Sequence, residues 1–118
     1  MKSRETVIRL KRFQADEKRR QVAQIESMIA EFERMANDLD REIGVEQERA
    51  GIHDPAHFAY PTYAKAAIQR RDNLVRSAGE LKTQLSDART AFDEALDERD
   101  HGREHSSLAD TAPERARA

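Results

Sequence analysis

The stretch AGIHDPAHFAYP, residues 50–61, decides the fold of this chain because it separates two long helical patterns. Each pattern places apolar residues at alternating steps of three and four, which keeps one side of an α-helix against a second helix. The first pattern comprises Val22, Ile25, Ile29, Phe32, Ala36, Leu39 and Ile43. The second comprises Ala64, Ala67, Arg71, Leu74, Ala78, Leu81, Leu85, Ala88, Phe92 and Ala95. The prediction is an all-α fold, an antiparallel two-helix coiled-coil hairpin with an extended linker and a disordered C-terminal tail.

Turn and capping residues set the predicted boundaries. Gly51 is the stop signal of helix one. Asp54 followed by Pro55 predicts a short helical turn over residues 55–59 within the linker. The end of the chain lacks apolar periodicity, which is typical of disorder. The predicted order is helix one over 1–50, the linker over 51–61, helix two over 62–99 and a disordered tail over 100–118.

The two patterns also predict a register. If the chain turns near residues 53–54, facing positions have numbers that add to about 107. Ile43 then faces Ala64, and elsewhere too large residues mostly face small ones, as a close helix pair requires. Arg71 interrupts the second pattern. It could extend to Asp38 or Asp40 at the surface, or fix the register as a buried polar residue.

The first pattern weakens toward the start of the chain. Its backward continuation from Val22 passes through Lys18, Ala15, Lys11 and Ile8. The larger apolar residues Val7, Leu10 and Phe13 lie in a different register. Either the supercoil changes phase here or this end is not tightly paired, and uncovered apolar residues would favour self-association.

Composition bounds the class of protein. Of the 118 residues, 37% are hydrophobic and 37% are charged, which is too polar for a thick globular core but suits a two-helix seam. The absence of cysteine excludes disulfides and thiolate metal sites. No apolar run is long enough to span a bilayer, and no secretory signal is apparent, so we expect a single-domain cytoplasmic protein without membrane insertion.

Charge is distributed unevenly along the chain. The net charge of −2 conceals a basic start, since residues 1–20 carry eight basic and three acidic groups and residues 21–50 carry three basic and eight acidic groups. The candidate binding residues in this basic segment are Arg9, Lys11, Arg12, Lys18, Arg19 and Arg20. They form either a solvated helix face or a contact for an acidic protein surface. Nucleic acid is disfavoured because acidic residues interrupt and follow the cations.

Aromatic residues cluster around the predicted turn. Phe58, Tyr60 and Tyr63 either cap the open end of the hairpin or anchor a partner there.

Catalytic and metal chemistry is not indicated. His53 and His57 are four residues apart, but Pro55 between them keeps both from one helical face, so no metal site is predicted. The many carboxylates have no pocket to desolvate them. Nucleophile triads and phosphate-binding glycine loops are missing. The sequence therefore predicts no enzyme and no cofactor.

The opening MKSRETVIRLKRFQADEKRRQVAQIESMIAEFERMANDLDREI, residues 1–43, resembles the N-terminal helix of the FliJ family of flagellar export proteins in its alphaproteobacterial form. The segment AGIHDPAHFAYPTYAKAAIQRRDNL, residues 50–74, is similar to the family's linker and second helix, and it is the specific part because heptads match any coiled coil. The resemblance covers roughly residues 1–98.

This resemblance implies a cytoplasmic, non-catalytic component of the flagellar type III export apparatus, peripheral at the inner face of the cell membrane. Family members are similar to the central stalk of a rotary ATPase. The implied partners are the export ATPase ring, the export gate membrane protein and export chaperones, and the implied processes are protein export, flagellum biogenesis, motility and chemotaxis. The basic segment would contact the ATPase, and the three aromatics would shape or present the tip.

The end of the chain departs from the family, whose second helix continues in a charged extension. Here residues 97–118 read DERDHGREHSSLADTAPERARA, so the basic end of helix one is expected to lack a partner helix. Two other interpretations remain: a generic self-associating structural coiled coil, and a chaperone-like hairpin that clasps unfolded clients.

Overall fold

Two long helices joined by an eleven-residue linker, residues 51–61, make up the fold. A computed structural model describes the backbone of residues 2–117 and the side chains of residues 3–103. Helix α1 spans Lys2–Ala50 and helix α2 spans Thr62–Arg117. No strand occurs among the described residues, so the predicted all-α helical hairpin is confirmed. Neither helix, within its described part, contains a stretch long and apolar enough to cross a membrane.

Helix α1 ends in a glycine cap. Gly51 has a left-handed backbone with φ of 66°, and its N–H donates to the Gln47 carbonyl at 2.9 Å. This bond satisfies one of the last helical carbonyls, and the left-handed conformation favours glycine because a Cβ would clash with the backbone.

Replacing Gly51 with alanine is expected to lower the free energy of unfolding by about 1 kcal/mol. No neighbouring atom lies within 4 Å of the added Cβ, so the cost is conformational and not a packing clash. Urea unfolding followed by circular dichroism measures it. Gly44→Ala is the control: Gly44 lies inside α1 with equally open space, so alanine there should stabilise by about 1 kcal/mol. Equal signs for the two variants would contradict the cap.

The linker forms two consecutive four-residue turns, which corrects the predicted helical turn over 55–59. The His57 N–H donates to the Asp54 carbonyl at 3.0 Å, and the Tyr60 N–H donates to the His57 carbonyl at 3.1 Å. The N–H of Ala59, which a helical turn would use, donates instead to Nδ1 of His57 at 3.0 Å. Competition from a side chain therefore replaces helix with turns.

By its contacts the chain divides into two units, each a pair of helix segments. Unit 2, Ile25–Gln84, contains the linker. Its core alternates large residues with alanines, which let the two helix backbones approach closely. The buried apolar residues are Ile29, Ala36, Ile43, Tyr60, Ala64, Ala67, Ala78 and Leu81. The register at the start of α2 is close to the predicted one, because Tyr63 of α2 bonds to Glu42 of α1 and their numbers add to 105. Further along, the ion pairs Arg71–Asp40 and Lys82–Glu33 join residues whose numbers add to 111 and 115, above the predicted value.

Unit 1 joins residues 1–24 with residues 85–118. Its apolar core is small, with Ala15 and Leu85 buried. The half-buried residues Ile8, Lys11, Lys18 and Val22 continue the seam of α1 in one register, so no phase change occurs. The larger residues Val7, Leu10 and Phe13 are left 48%, 52% and 58% exposed.

Helix α2 does not end near Arg99, which corrects the predicted disordered tail over 100–118. Its backbone is helical to Arg117, whereas the side chains of residues 104–118 lie outside the described part. A Cβ added at Gly102 would lie 3.4 Å from Cδ of Lys11, so α2 runs beside the basic segment of α1, which was expected to lack a partner helix. One internal glycine costs a helix only about 1 kcal/mol, which tertiary contact can offset.

Candidate functional site

The six predicted cations of α1 occupy two different environments. Lys11 and Lys18 are half-buried at seam positions on either side of the buried Ala15. The four arginines, Arg9, Arg12, Arg19 and Arg20, are exposed. The structure therefore leaves the arginines accessible to a partner, while the two lysines extend from the seam between the helices of unit 1.

Two of these arginines have carboxylate neighbours on their own helix. Arg19 lies 3.4 Å from Asp16 and Arg20 lies 3.2 Å from Glu17, each three residues apart. All four side chains are well exposed, so such pairs contribute little to stability and exchange readily for an external partner. Arg9 and Arg12 belong to none of the ion pairs among the described side chains.

A groove of about 480 Å³, here called the unit-1 groove, lies beside Phe13. Ala91 and Ala95 of α2 give it an apolar floor. Its charged lining is mostly acidic, with three glutamates against one lysine: Glu17, Glu94, Glu98 and Lys18. Among the described side chains, no cation lies within ion-pair distance of Glu94 or Glu98. Sequence reasoning did not find this groove, although Ala91 and Ala95 lie within the predicted helix two and their four-residue spacing was a usable signal.

The three aromatics near the linker do not share one surface. Tyr60 is buried, and its hydroxyl oxygen accepts a hydrogen bond from Nε2 of Gln47 at 2.8 Å. Phe58 is 96% exposed, and its ring stacks on that of His57 with centroids 4.7 Å apart. Of the two predicted roles, Tyr60 therefore caps the hairpin, while Phe58 is presented outward.

Tyr63 belongs to the side of the hairpin. It is exposed, and its hydroxyl donates to Oε2 of Glu42 on α1 at 2.6 Å. This hydrogen bond, assisted by the charge of Glu42, raises the pKa of Tyr63. The contact bridges the two helices of unit 2, and the predicted register, which places residues 42 and 63 nearly opposite each other, would have found it.

Tyr60→Phe is expected to lower the free energy of unfolding by about 0.5–1.5 kcal/mol, because the Gln47 amide loses its partner inside the hairpin. Tyr63→Phe is the matched control. It also removes a cross-helix hydroxyl, but from an exposed pair, so its effect should stay within about 0.5 kcal/mol. Thermal and urea unfolding of both variants would measure the difference, and equal effects would count against a capping role for Tyr60.

Arg71 leaves the seam toward the surface. Its guanidinium contacts Asp40 across the hairpin at 2.9 Å and Asp72 on its own helix at 3.0 Å. The hydrogen bond to Asp40, followed by that to Asp72, raises the pKa of Arg71. Arg71 therefore takes the first of its two predicted arrangements. Lys82 and Glu33, 3.0 Å apart, form a second cross-helix pair in unit 2.

These features define an all-α protein whose described residues present exposed arginines, an acid-lined groove and the outward Phe58. Among the described residues, no group of three histidines or carboxylates is placed to hold a metal ion. Comparison with protein-family models, curated proteins and solved structures finds no match for this chain.

Proposed function

We propose that this chain is a non-catalytic helical component of a flagellar type III protein export apparatus. It binds the export ATPase ring and the export gate and promotes both protein export and the cycling of export chaperones. The observation that carries the proposal is the resemblance of residues 50–74 to the linker region of the FliJ family. The exposed arginines of unit 1 and the outward Phe58 of unit 2 offer two separate surfaces for partners.

The ATPase contact is assigned to the exposed arginines Arg9, Arg12, Arg19 and Arg20. Guanidinium groups form bidentate pairs with carboxylates, so they suit an acidic surface on the ring. Lys11 and Lys18 are omitted from this contact because they lie at the seam within unit 1.

The export-gate contact is assigned to the tip of unit 2. Phe58 is nearly fully exposed, and the hydrogen bonds of the two linker turns fix the backbone on both sides of it. A fixed aromatic side chain loses little conformational entropy on binding and makes a good anchor in an apolar pocket. Through these two contacts the protein would be peripheral at the inner face of the cell membrane.

Charge reversal tests the ATPase contact. We expect the variants R9E/R12E and R19E/R20E each to weaken capture of purified export ATPase by about tenfold or more, because they place glutamates against an acidic surface. The control is R34E/R41E, which reverses two exposed arginines that also pair with carboxylates three residues earlier, but in unit 2. Pull-down at two salt concentrations, with helicity checked by circular dichroism, measures the effect, which salt should diminish.

Two outcomes separate the parts of this proposal. If the wild-type chain fails to bind the ATPase, the ATPase partner is wrong. If it binds but all three double variants bind equally well, the partner stands and the arginine assignment is wrong.

A further inference from the structure

Three apolar residues on α1 form an uncovered stripe, here called the N-terminal stripe: Val7, Leu10 and Phe13. They are spaced by three residues and follow one side of the helix, away from the seam residues Ile8 and Ala15. About half of each side chain remains exposed although α2 runs beside this part of α1. Such a contiguous patch is costly in water and is typical of an interface.

The unit-1 groove adjoins this stripe, since Phe13 belongs to both. The groove offers an apolar floor at Ala91 and Ala95, and carboxylates at Glu94 and Glu98 that form no ion pair with the side chains the structure describes. A helix that carries an apolar stripe flanked by positive charge would complement both features.

The chain itself carries such a helix. Residues 3–20 hold seven basic and three acidic groups together with the N-terminal stripe, whereas residues 85–103 of the same unit hold three basic and six acidic groups. These two stretches therefore have net charges of +4 and −3, which makes the unit complementary to a second copy of itself.

We propose that two copies of this chain associate through unit 1, with the N-terminal stripes in contact around a twofold axis that runs along the helices. Successive residues of an α-helix are about 100° apart around its axis. Viewed along α1, the stripe therefore has the seam on one side, and on its other side it has Arg9 and Arg20. An axis along the helices turns the arginine side of one copy toward Glu94 and Glu98 of the other copy. An axis across the helices would place like charges together.

Sedimentation of the full-length chain from about 1 to 200 µM tests this association at the affinities typical of small interfaces. The wild-type chain is expected to form a reversible dimer. F13D should raise its dissociation constant by about tenfold or more, because a carboxylate would enter the apolar contact. V75D is the matched control, since Val75 is an equally exposed apolar residue on α2 in unit 2.

A charge swap gives the sharper test. R9E/R20E and E94K/E98K should each dimerise about tenfold more weakly alone, because each variant faces like charges. An equimolar mixture of the two should recover the wild-type dissociation constant, since every swapped charge then meets its opposite. E80K is the control for charge reversal on α2 outside the contact.

Circular dichroism of each variant shows whether the helices persist, and recovery on mixing cannot come from misfolded chains. A wild-type chain that stays monomeric at 200 µM would overturn the proposal. So would a dimer that F13D and V75D weaken equally, or a mixture of swapped variants that remains as weak as its components. The test needs no export partner, so it stands apart from the assignment to the export apparatus.

Discussion

Replacing Ile43 with alanine is expected to lower the free energy of unfolding by about 2–3 kcal/mol. Ile43 is buried in unit 2, where a large residue of α1 fills the space that the alanines of α2 leave. The truncation removes buried methyl and methylene groups and opens a cavity. The two helices close this cavity only in part, because the linker holds them together at this end. Urea unfolding followed at the helical circular dichroism band gives the change.

Val45→Ala is the matched control for that experiment. Val45 lies two residues further along the same helix, but its side chain points to solvent and is half exposed. Alanine has the higher helix propensity, so this variant should be neutral or slightly stabilising, within about 0.5 kcal/mol. If both variants lost the same free energy, the seam would not be the source of stability at this position.

The seam was predictable because heptad spacing alone determines which side of a helix is covered. Ile29, Ala36 and Ile43 are all buried, and each belongs to the pattern read from the sequence. The buried alanines of α2 were equally predictable, since Ala64, Ala67 and Ala78 follow the same heptad spacing and are also buried. The register near the linker followed from the position of the turn.

Hydrophobicity alone misleads at the start of the chain. Val7, Leu10 and Phe13 are more apolar than Lys11, Ala15 and Lys18, yet the second set lies in the seam and the first remains exposed. Helical geometry explains this outcome. Burying Val7, Leu10 and Phe13 would have required a change of register, which would have broken the seam that continues from Val22. The continuation of α2 beyond Arg99 was not predictable from local composition, since Gly102 and neighbouring charges favour a loop unless a second helix packs against them.

The tip shows a different limit of sequence reasoning. Phe58 and Tyr60 are two residues apart in a segment with no periodicity, so nothing in the sequence separates the exposed ring from the buried one. The hydrogen bonds of the linker turns decide it, and they depend on side chains such as His57 that accept bonds from the backbone. Irregular segments of this kind take their orientation from local hydrogen bonds, which pattern analysis does not capture.

The two proposals assign some of the same residues of α1 to two different contacts. Arg9 and Arg20 are assigned both to the ATPase contact and to the rim of the self-association contact. If both assignments hold, dimerisation hides part of the ATPase-binding surface, and the ATPase binds the monomer more tightly than the dimer. The variant F13D separates these effects, because it weakens the dimer without altering any arginine.

Enlarging Ala64 to leucine is expected to destabilise the protein by about 1–3 kcal/mol. Ala64 is 0% exposed, the least accessible apolar side chain among the described residues, and it lies in the first turns of α2 between Tyr60 and Ala67. Just before this position, Gln47 of α1 donates a hydrogen bond to Tyr60 of the linker, and Tyr63 of α2 donates one to Glu42 of α1.

Three additional carbons at this position must therefore push the helices apart or force a strained rotamer. Ala66→Leu is the control, because Ala66 is exposed two residues further along the same helix and leucine nearly matches alanine in helix propensity. Urea midpoints for both variants measure the effect. Since α1 and α2 are joined at this end, the Ala64 variant should also lose the Tyr63–Glu42 contact, which would return the pKa of Tyr63 toward its ordinary value in an ultraviolet titration of the phenolate. A stable Ala64→Leu variant with an unchanged Tyr63 titration would show that the helices are not in close contact at Ala64.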